Sequence, residues 1–305
     1  MSVRWNVGLH YQTRQYWPAA LANASLVIPT YLRLRMTGAS EYSAFLEIVY
    51  SRYGYDFRDY AESSVKRRIQ YYMDKHSLSS FCDLEKRIVG DESAFIEFVQ
   101  ELSITVTEMF RDPTFFRQLR HVVMPRLATY PFIKIWIAGC ATGQEVYSLA
   151  IILREEGIFD RTIIYATDIN QKSIHIAKQG LFNVGDMQRY TGNYHRAGGK
   201  QSFSDYYKAT YGAVLFDKSL RENVVFAAHN LANDGIFNEF QLIICRNVIM
   251  YFNRDLQDRA IDLFYGSLCP FGFLGLGDKE SLLFYHQKDV FEEIDGKEKI
   301  YLRKN

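Results

Sequence analysis

The apolar residues between about positions 40 and 103 recur at helical spacing. Tyr42, Phe45, Leu46 and Val49 form the first such stripe, and similar stripes follow it along this segment. A spacing of three and four residues places side chains on one face of a helix. We therefore predict a small all-helical domain over residues 37–104.

One helix of this domain carries a basic cluster. It is predicted to begin near Ser63 and Ser64, which are both suitable N-cap residues, and it contains Lys66, Arg67 and Arg68 beside its apolar stripe. These three cations are predicted to bind an acidic partner. The alternative, a basic face that meets only water, stays open at this point.

The pattern changes at about residue 132, where short apolar runs begin to alternate with amphipathic stretches. This alternation is typical of a parallel sheet built from βαβ units. The predicted strands are 132–138, 162–167, 224–228, 240–245 and 273–277, and the predicted helices are 145–156, 171–179 and 254–268. Two further strands, 290–294 and 299–303, flank an Asp-Gly turn and should form an antiparallel hairpin.

The remaining segments complete the predicted domain organisation. Residues 105–131 are a linker, and residues 132–305 form an α/β domain with a subdomain inserted at about 181–223, because a connection of that length usually carries structure of its own. Residues 1–36 are predicted to be a poorly ordered leader or upstream sequence before a true start at Met36. The apolar stretch 17–32 contains two prolines and is shorter than the ~20 residues of a membrane span.

Composition narrows the possible functions. The chain has 305 residues, of which 48% are hydrophobic, and its 36 basic and 35 acidic residues nearly cancel. Such a balance argues against nucleic acid as the partner, so electrostatic recognition must be regional. The four cysteines are scattered without a CxxC pair, which indicates neither a zinc site nor a disulfide framework and favours a cytoplasmic protein.

A glycine loop and an acidic residue form the first candidate site. Gly139 and Gly143 follow the first predicted strand, and Asp168 ends the second. Free N–H groups in such a loop can bind a ligand, and an acid at the second position can accept hydrogen bonds from a ribose. The pattern indicates a nucleotide cofactor and by itself fits NAD equally well. A tight turn without a ligand is the simpler alternative.

Four motifs carry a family resemblance. They are 104–112 (ITVTEMFRD), 141–148 (ATGQEVYS), 166–169 (ATDI) and 245–252 (CRNVIMYF). In this order they resemble the CheR-type chemotaxis receptor methyltransferases, and the resemblance runs from about Glu41 to the C-terminus. It implies a Rossmann-like class I S-adenosylmethionine-dependent methyltransferase sheet with an N-terminal helical domain.

The resemblance also implies an activity, transfer of methyl groups from S-adenosylmethionine to glutamate carboxylates on chemoreceptor cytoplasmic helices, with no metal. The enzyme would not be an integral membrane protein, although it would dock at membrane-bound receptor arrays. Rival interpretations are a methyltransferase for another substrate class, a non-catalytic module that senses S-adenosylmethionine or tethers receptors, and an NAD-dependent oxidoreductase.

Site residues follow from the resemblance, position by position. Arg111 and Tyr251 would lie beside the reacting carboxylate as catalytic residues. The cofactor would be bound by Thr105, Thr107, Arg111, Gly139, Glu145, Asp168, Asn230, Leu231, Arg246 and Asn247. Glu145 would hold its methionine part and Asp168 its ribose. The chain departs from the usual family residues at Thr105, Met109 and Gln144.

Overall fold

The computed structural model describes residues 40–102 and 107–304. Its first part is helical, as predicted, with α1 Glu41–Tyr53, α2 Glu62–Lys75, α3 Phe81–Ile88 and α4 Glu92–Leu102. The apolar stripes of these helices meet in one core around Phe45, Tyr72 and Phe98. Ser40 caps α1 by accepting a hydrogen bond from the Ser43 N–H at 3.2 Å.

The predicted serine N-cap of α2 is wrong, although the helix does begin near these residues. The helix begins one residue before the two serines, with Ala61 as its N-cap and without a side-chain cap. The Ala61 N–H instead donates to the Tyr251 carbonyl at 2.8 Å. A tertiary contact to the second domain therefore fixes this helix end, and no local pattern could indicate it.

The second part of the chain is built on a seven-stranded sheet. Its strands are β1 Ile133–Ala138, β2 Thr162–Asp168, β6 Val224–Ala228, β7 Phe240–Cys245, β8 Leu268–Leu276, β9 Phe291–Asp295 and β10 Ile300–Arg303. The order across the sheet is β6-β2-β1-β7-β8-β10-β9. The first five are parallel, and β10 is antiparallel to both β8 and β9. The final hairpin and the βαβ pattern are thus confirmed.

Helices cover this sheet and lead into it. After residues 107–112 come α5 Pro113–Gln118, a π-helical turn Leu119–Val123 and α6 Met124–Leu127; later come α7 Gln144–Glu155, α8 Gln171–Gln179 and α10 Arg254–Ser267. Strand β8 begins five residues earlier than predicted. A register shift and a left-handed Phe271 (φ 61°) interrupt the first part of this strand. The apolar pattern therefore does not indicate where the strand begins.

The insertion contains α9 Met187–Arg196 and a small antiparallel sheet of β3 Leu181–Asn183, β4 Tyr207–Thr210 and β5 Ala213–Phe216. A buried polar cluster attaches it to the main domain. Arg120 donates to the Ala197 carbonyl at 3.1 Å and pairs with Glu155 and Glu156, and the Tyr194 hydroxyl also bonds to Glu155. The insertion is thus packed against α7.

Two predictions lie outside the described residues, namely the leader over 1–36 and the cofactor role of Thr105. Within residues 40–102 and 107–304, no helix is long and apolar enough to cross a membrane. In the same ranges no group of three or more His, Cys, Asp and Glu side chains is placed to hold a metal ion.

Candidate active site

A cavity lies at the carboxyl edge of the main sheet, where the loops after β1, β2 and β7 meet. Strand β1 lies between β2 and β7, so the chain runs from β1 toward one edge of the sheet and later returns to add strands on the other side. In open α/β sheets, ligands bind at the point where the strand order reverses in this way. The cavity encloses about 1130 Å³, part of it open to solvent. Ten of the predicted catalytic and cofactor-binding residues line it: Thr107, Arg111, Gly139, Glu145, Asp168, Asn230, Leu231, Arg246, Asn247 and Tyr251.

The loop after β1 needs its glycines. Gly143 is the N-cap of α7 at φ 97°, a conformation that other residues rarely adopt. A Cβ at this position would lie 2.7 Å from the Cβ of Ala177. At Gly139 (φ 83°), a Cβ would lie 2.4 Å from a methyl carbon of Val248, which follows β7. The loop therefore lies close against its neighbours and places the start of α7 at the cavity.

Asp168 is held at the cavity wall by backbone groups. Its carboxylate accepts hydrogen bonds from the Ala141 N–H and the Asn170 N–H, each at 2.8 Å. Burial raises the pKa of this carboxyl, and these N–H donors act in the opposite direction. The N-cap of α8 is Asn170, whose side chain accepts from Lys172 and Ser173. Because Asn170 caps α8, the Asp168 side chain is not needed as the helix cap and can face the cavity, which it lines.

Arg246 joins three segments of the chain. Its guanidinium, with the side chain 2% exposed, donates to Glu145 on α7 at 2.9 Å and to Asp112 in the linker at 2.6 Å. It also lies over the Phe115 ring, 4.2 Å from the centroid. Burial raises the pKa of Glu145, whereas the positive charges of Arg246 and, to a smaller extent, Arg111 lower it. Asp112 in the linker and Glu145 on α7 are therefore bridged by one guanidinium.

Arg111 lies in a constrained stretch of backbone. Its neighbours Phe110 and Asp112 both have left-handed conformations, with φ of 50° and 54°. Such residues cost energy and persist only where the surroundings fix them. Here the Phe110 N–H donates to Ser148 at 2.9 Å, while Asp112 pairs with Arg246. The linker thus has anchors on both sides of Arg111.

The helical domain supplies a wall that the sequence did not predict. Phe57, Tyr60, Ser64 and Val65 line the cavity, and so does Arg68. The sequence pattern predicts Arg68 on an exposed basic face, whereas in the structure it is partly buried and donates to the Glu101 carbonyl at 3.1 Å. The contact between domains turns it inward, whereas Lys66 and Arg67 are exposed as predicted.

The loop after β7 provides the opposite wall. Asn247 has a left-handed backbone (φ 59°), and a short 3₁₀ turn, Ile249–Tyr251, follows it. The buried Glu280, which is not among the predicted site residues, accepts hydrogen bonds from three N–H groups of this loop. No motif marks Glu280, because its partners in this loop are backbone atoms 30 to 33 residues away in the chain.

Family comparisons agree with this architecture. Residues 40–103 match the model described as "CheR methyltransferase, all-alpha domain", and residues 105–300 match "CheR methyltransferase, SAM binding domain". The helical part and the sheet therefore correspond to the two modules of one family. The sheet is that of a class I S-adenosylmethionine-dependent methyltransferase, as the motifs predicted.

Curated relatives extend over most of the chain. A protein of Pseudomonas putida named "Putative methyltransferase Cher3" is 50% identical over 261 residues, covering 86% of this chain and 96% of the relative. A "Chemotaxis protein methyltransferase" of Listeria innocua is 28% identical, covering 80% and 90%. A "Chemotaxis protein methyltransferase 1" of Vibrio cholerae is 29% identical, covering 79% and 89%. The chain is therefore a member of the CheR family of S-adenosylmethionine-dependent methyltransferases.

Proposed function

We propose that this protein transfers the methyl group of S-adenosylmethionine to glutamate side-chain carboxylates of a chemoreceptor cytoplasmic domain and so forms glutamate methyl esters. The observation that carries the proposal is the shared cavity. Arg111, Arg68 and Tyr251 line the same space as the glycine loop and Asp168.

The residues present fit the methyl donor. Asp168 offers a carboxylate for a ribose diol, and the start of α7 lies beside it. Glu145 offers a buried carboxylate for an ammonium group, and Arg246 holds this side chain in place. When bound, S-adenosylmethionine supplies an electrophilic methyl group on a sulfonium.

The acceptor needs orientation more than activation. A glutamate with an ordinary pKa of about 4.3 is already ionised at neutral pH, so no strong base is required. Alignment of two reactants can account for about 7–11 kcal/mol of a barrier. We assign this task to Arg111, through a charge-assisted hydrogen bond to the carboxylate, and to Tyr251, through a second bond that selects the oxygen facing the methyl group.

Arg68 supports an anionic acceptor in the same way. Burial lowers its pKa, and Tyr251 is close enough to act in the opposite direction. A second cation from the helical domain favours a negatively charged group near Tyr251. Lys66 and Arg67, which are exposed on the same helix, would meet the acidic surface around the methylated glutamates.

The test is transfer of labelled methyl from S-adenosylmethionine to candidate receptor cytoplasmic domains, followed by mild alkali. We expect a label that alkali removes and that Arg111→Ala reduces by at least about a hundredfold. A label that resists alkali would mean methylation of nitrogen, carbon or sulfur and would overturn the proposal. Tight binding of S-adenosylhomocysteine without transfer to any receptor would favour the sensing function.

A further inference from the structure

Glu280 is a buried acid that the proposed reaction does not use. It lies in the loop after β8, and only 3% of its surface is exposed. Its carboxylate accepts four backbone hydrogen bonds. Oε2 accepts from Asn247 at 2.9 Å and from Gly277 at 2.7 Å, and Oε1 accepts from Val248 at 2.8 Å and from Met250 at 3.1 Å.

Three of the four donors belong to the loop that leads to Tyr251. The N–H groups at the start of a helical turn have no partner within the turn, and a carboxylate satisfies them well. Here the turn is Ile249–Tyr251, and Glu280 binds the N–H groups around its start. One buried carboxylate thus binds three N–H groups of this loop.

A second observation shows how closely the two loops fit. A Cβ added to Gly277 would lie 2.8 Å from the Asn247 nitrogen and 2.8 Å from Oε2 of Glu280. The backbone of the loop after β8 therefore lies directly against that of the loop after β7. Asn247 itself is held in the left-handed region, at φ 59°. This conformation needs fixed surroundings, and Glu280 provides them.

We propose that Glu280 is a positioning residue of the methyl-transfer site, which fixes the Asn247–Tyr251 loop by binding its backbone N–H groups. The expected effect of Glu280 on the rate of methyl transfer rests on the proposed function. The structural consequence of the proposal is independent of any substrate. Only an ionised carboxylate offers two oxygens that both accept and neither donates. In Glu280→Gln, the amide NH₂ group would face two of the four N–H donors.

The experiment compares Glu280→Gln with Glu292→Gln, which changes an exposed glutamate on β9 in the same way. Amide hydrogen exchange is measured in both variants of the full chain. We expect the amides of Asn247, Val248 and Met250 to exchange at least about tenfold faster in Glu280→Gln, because each then faces either the amide NH₂ group or a neutral oxygen in place of a charged acceptor. The control should match the wild type. Glu280→Asp, which keeps the charge on a shorter side chain, should restore part of the protection.

Kinetics then separate positioning from general destabilisation. Glu280→Gln should still bind one S-adenosylhomocysteine per chain, while kcat for methyl transfer falls by about a hundredfold and KM for the acceptor changes much less. Unchanged exchange in the loop, or faster exchange throughout the domain, would overturn the proposal. If the wild type methylates no receptor, the proposed function fails, whereas the exchange result still decides the role of Glu280.

Discussion

Replacing Arg246 by methionine tests the buried ion pair at the centre of the site. The substitution removes a guanidinium whose side chain is 2% exposed and leaves an aliphatic chain of similar length. Glu145, 14% exposed, then loses the guanidinium nitrogen that lies 2.9 Å from its carboxylate. Asp112 is 41% exposed and can be solvated, so its share of the effect is small.

The expected loss follows from these exposures. Breaking a buried pair by removing one partner costs about 3–5 kcal/mol, mainly because the other charge stays buried. The exposed Asp112 pair adds less than about 1 kcal/mol. Contact of the methionine sulfur with the Phe115 ring replaces part of the lost cation–π interaction. We expect the α/β domain to melt about 10 °C lower, at about 2–4 °C for each kcal/mol.

This loss should depend on pH in a defined direction. Burial already raises the pKa of Glu145, and Arg246 opposes that effect, so Arg246→Met raises the pKa further. A carboxyl whose folded pKa lies above its unfolded value destabilises the protein as pH rises through the folded pKa. The penalty disappears as the pH falls below the unfolded pKa. The destabilisation should therefore be smaller at about pH 5 than at about pH 8.

The assays are thermal and denaturant-induced unfolding without cofactor, each followed by circular dichroism at both pH values. The matched variant is Arg246→Met combined with Glu145→Met, which removes both charges. Because it leaves no buried carboxylate, the double variant should be more stable than Arg246→Met alone at the higher pH. A double variant that is no more stable, or a penalty that does not change with pH, would refute this account of the pair.

Three further predictions concern the cofactor and the partner. Asp168→Asn should weaken S-adenosylhomocysteine binding by at least about tenfold in calorimetry, because a charged acceptor is lost; equal affinity would remove Asp168 from the site. Gly143→Ala should lose about 2 kcal/mol of stability and bind cofactor less tightly, since φ is 97° and the new Cβ would crowd Ala177. If Gly143→Ala melts at the same temperature as the wild type, the argument for this glycine is wrong. Charge reversal at Lys66 and Arg67 should raise KM for the receptor while cofactor affinity stays constant, and an unchanged KM would argue against docking there.

Much of the sheet could be predicted because its signals are local. Buried parallel strands are short apolar runs, and β1, β2, β6 and β7 therefore begin and end within one residue of their predicted bounds. The first part of β8 escaped prediction, because its bulge at Phe271 breaks the apolar pattern. Pattern alone also left the cofactor open between NAD and S-adenosylmethionine, and the family motifs resolved it.

Site residues that lie in a family motif could be predicted from the sequence. Site residues that are placed by contacts between distant segments could not. Arg111, Asp168 and Tyr251 are marked by their motifs and do line one cavity. The inward turn of Arg68 depends on how the helical domain packs, and periodicity along α2 cannot report that. Asp112 and Glu280 act on partners far away in the chain, at distances that only the folded structure defines.

The central claim is esterification of glutamate, and peptide mass spectrometry tests it most directly. A receptor cytoplasmic domain is incubated with the wild-type protein and S-adenosylmethionine, digested and fragmented to locate the added methyl groups. We predict the mass of one methyl group on glutamate side chains, and its loss after mild alkali. Methyl groups on lysine, arginine or cysteine, or on no residue of any receptor domain tested, would contradict the account.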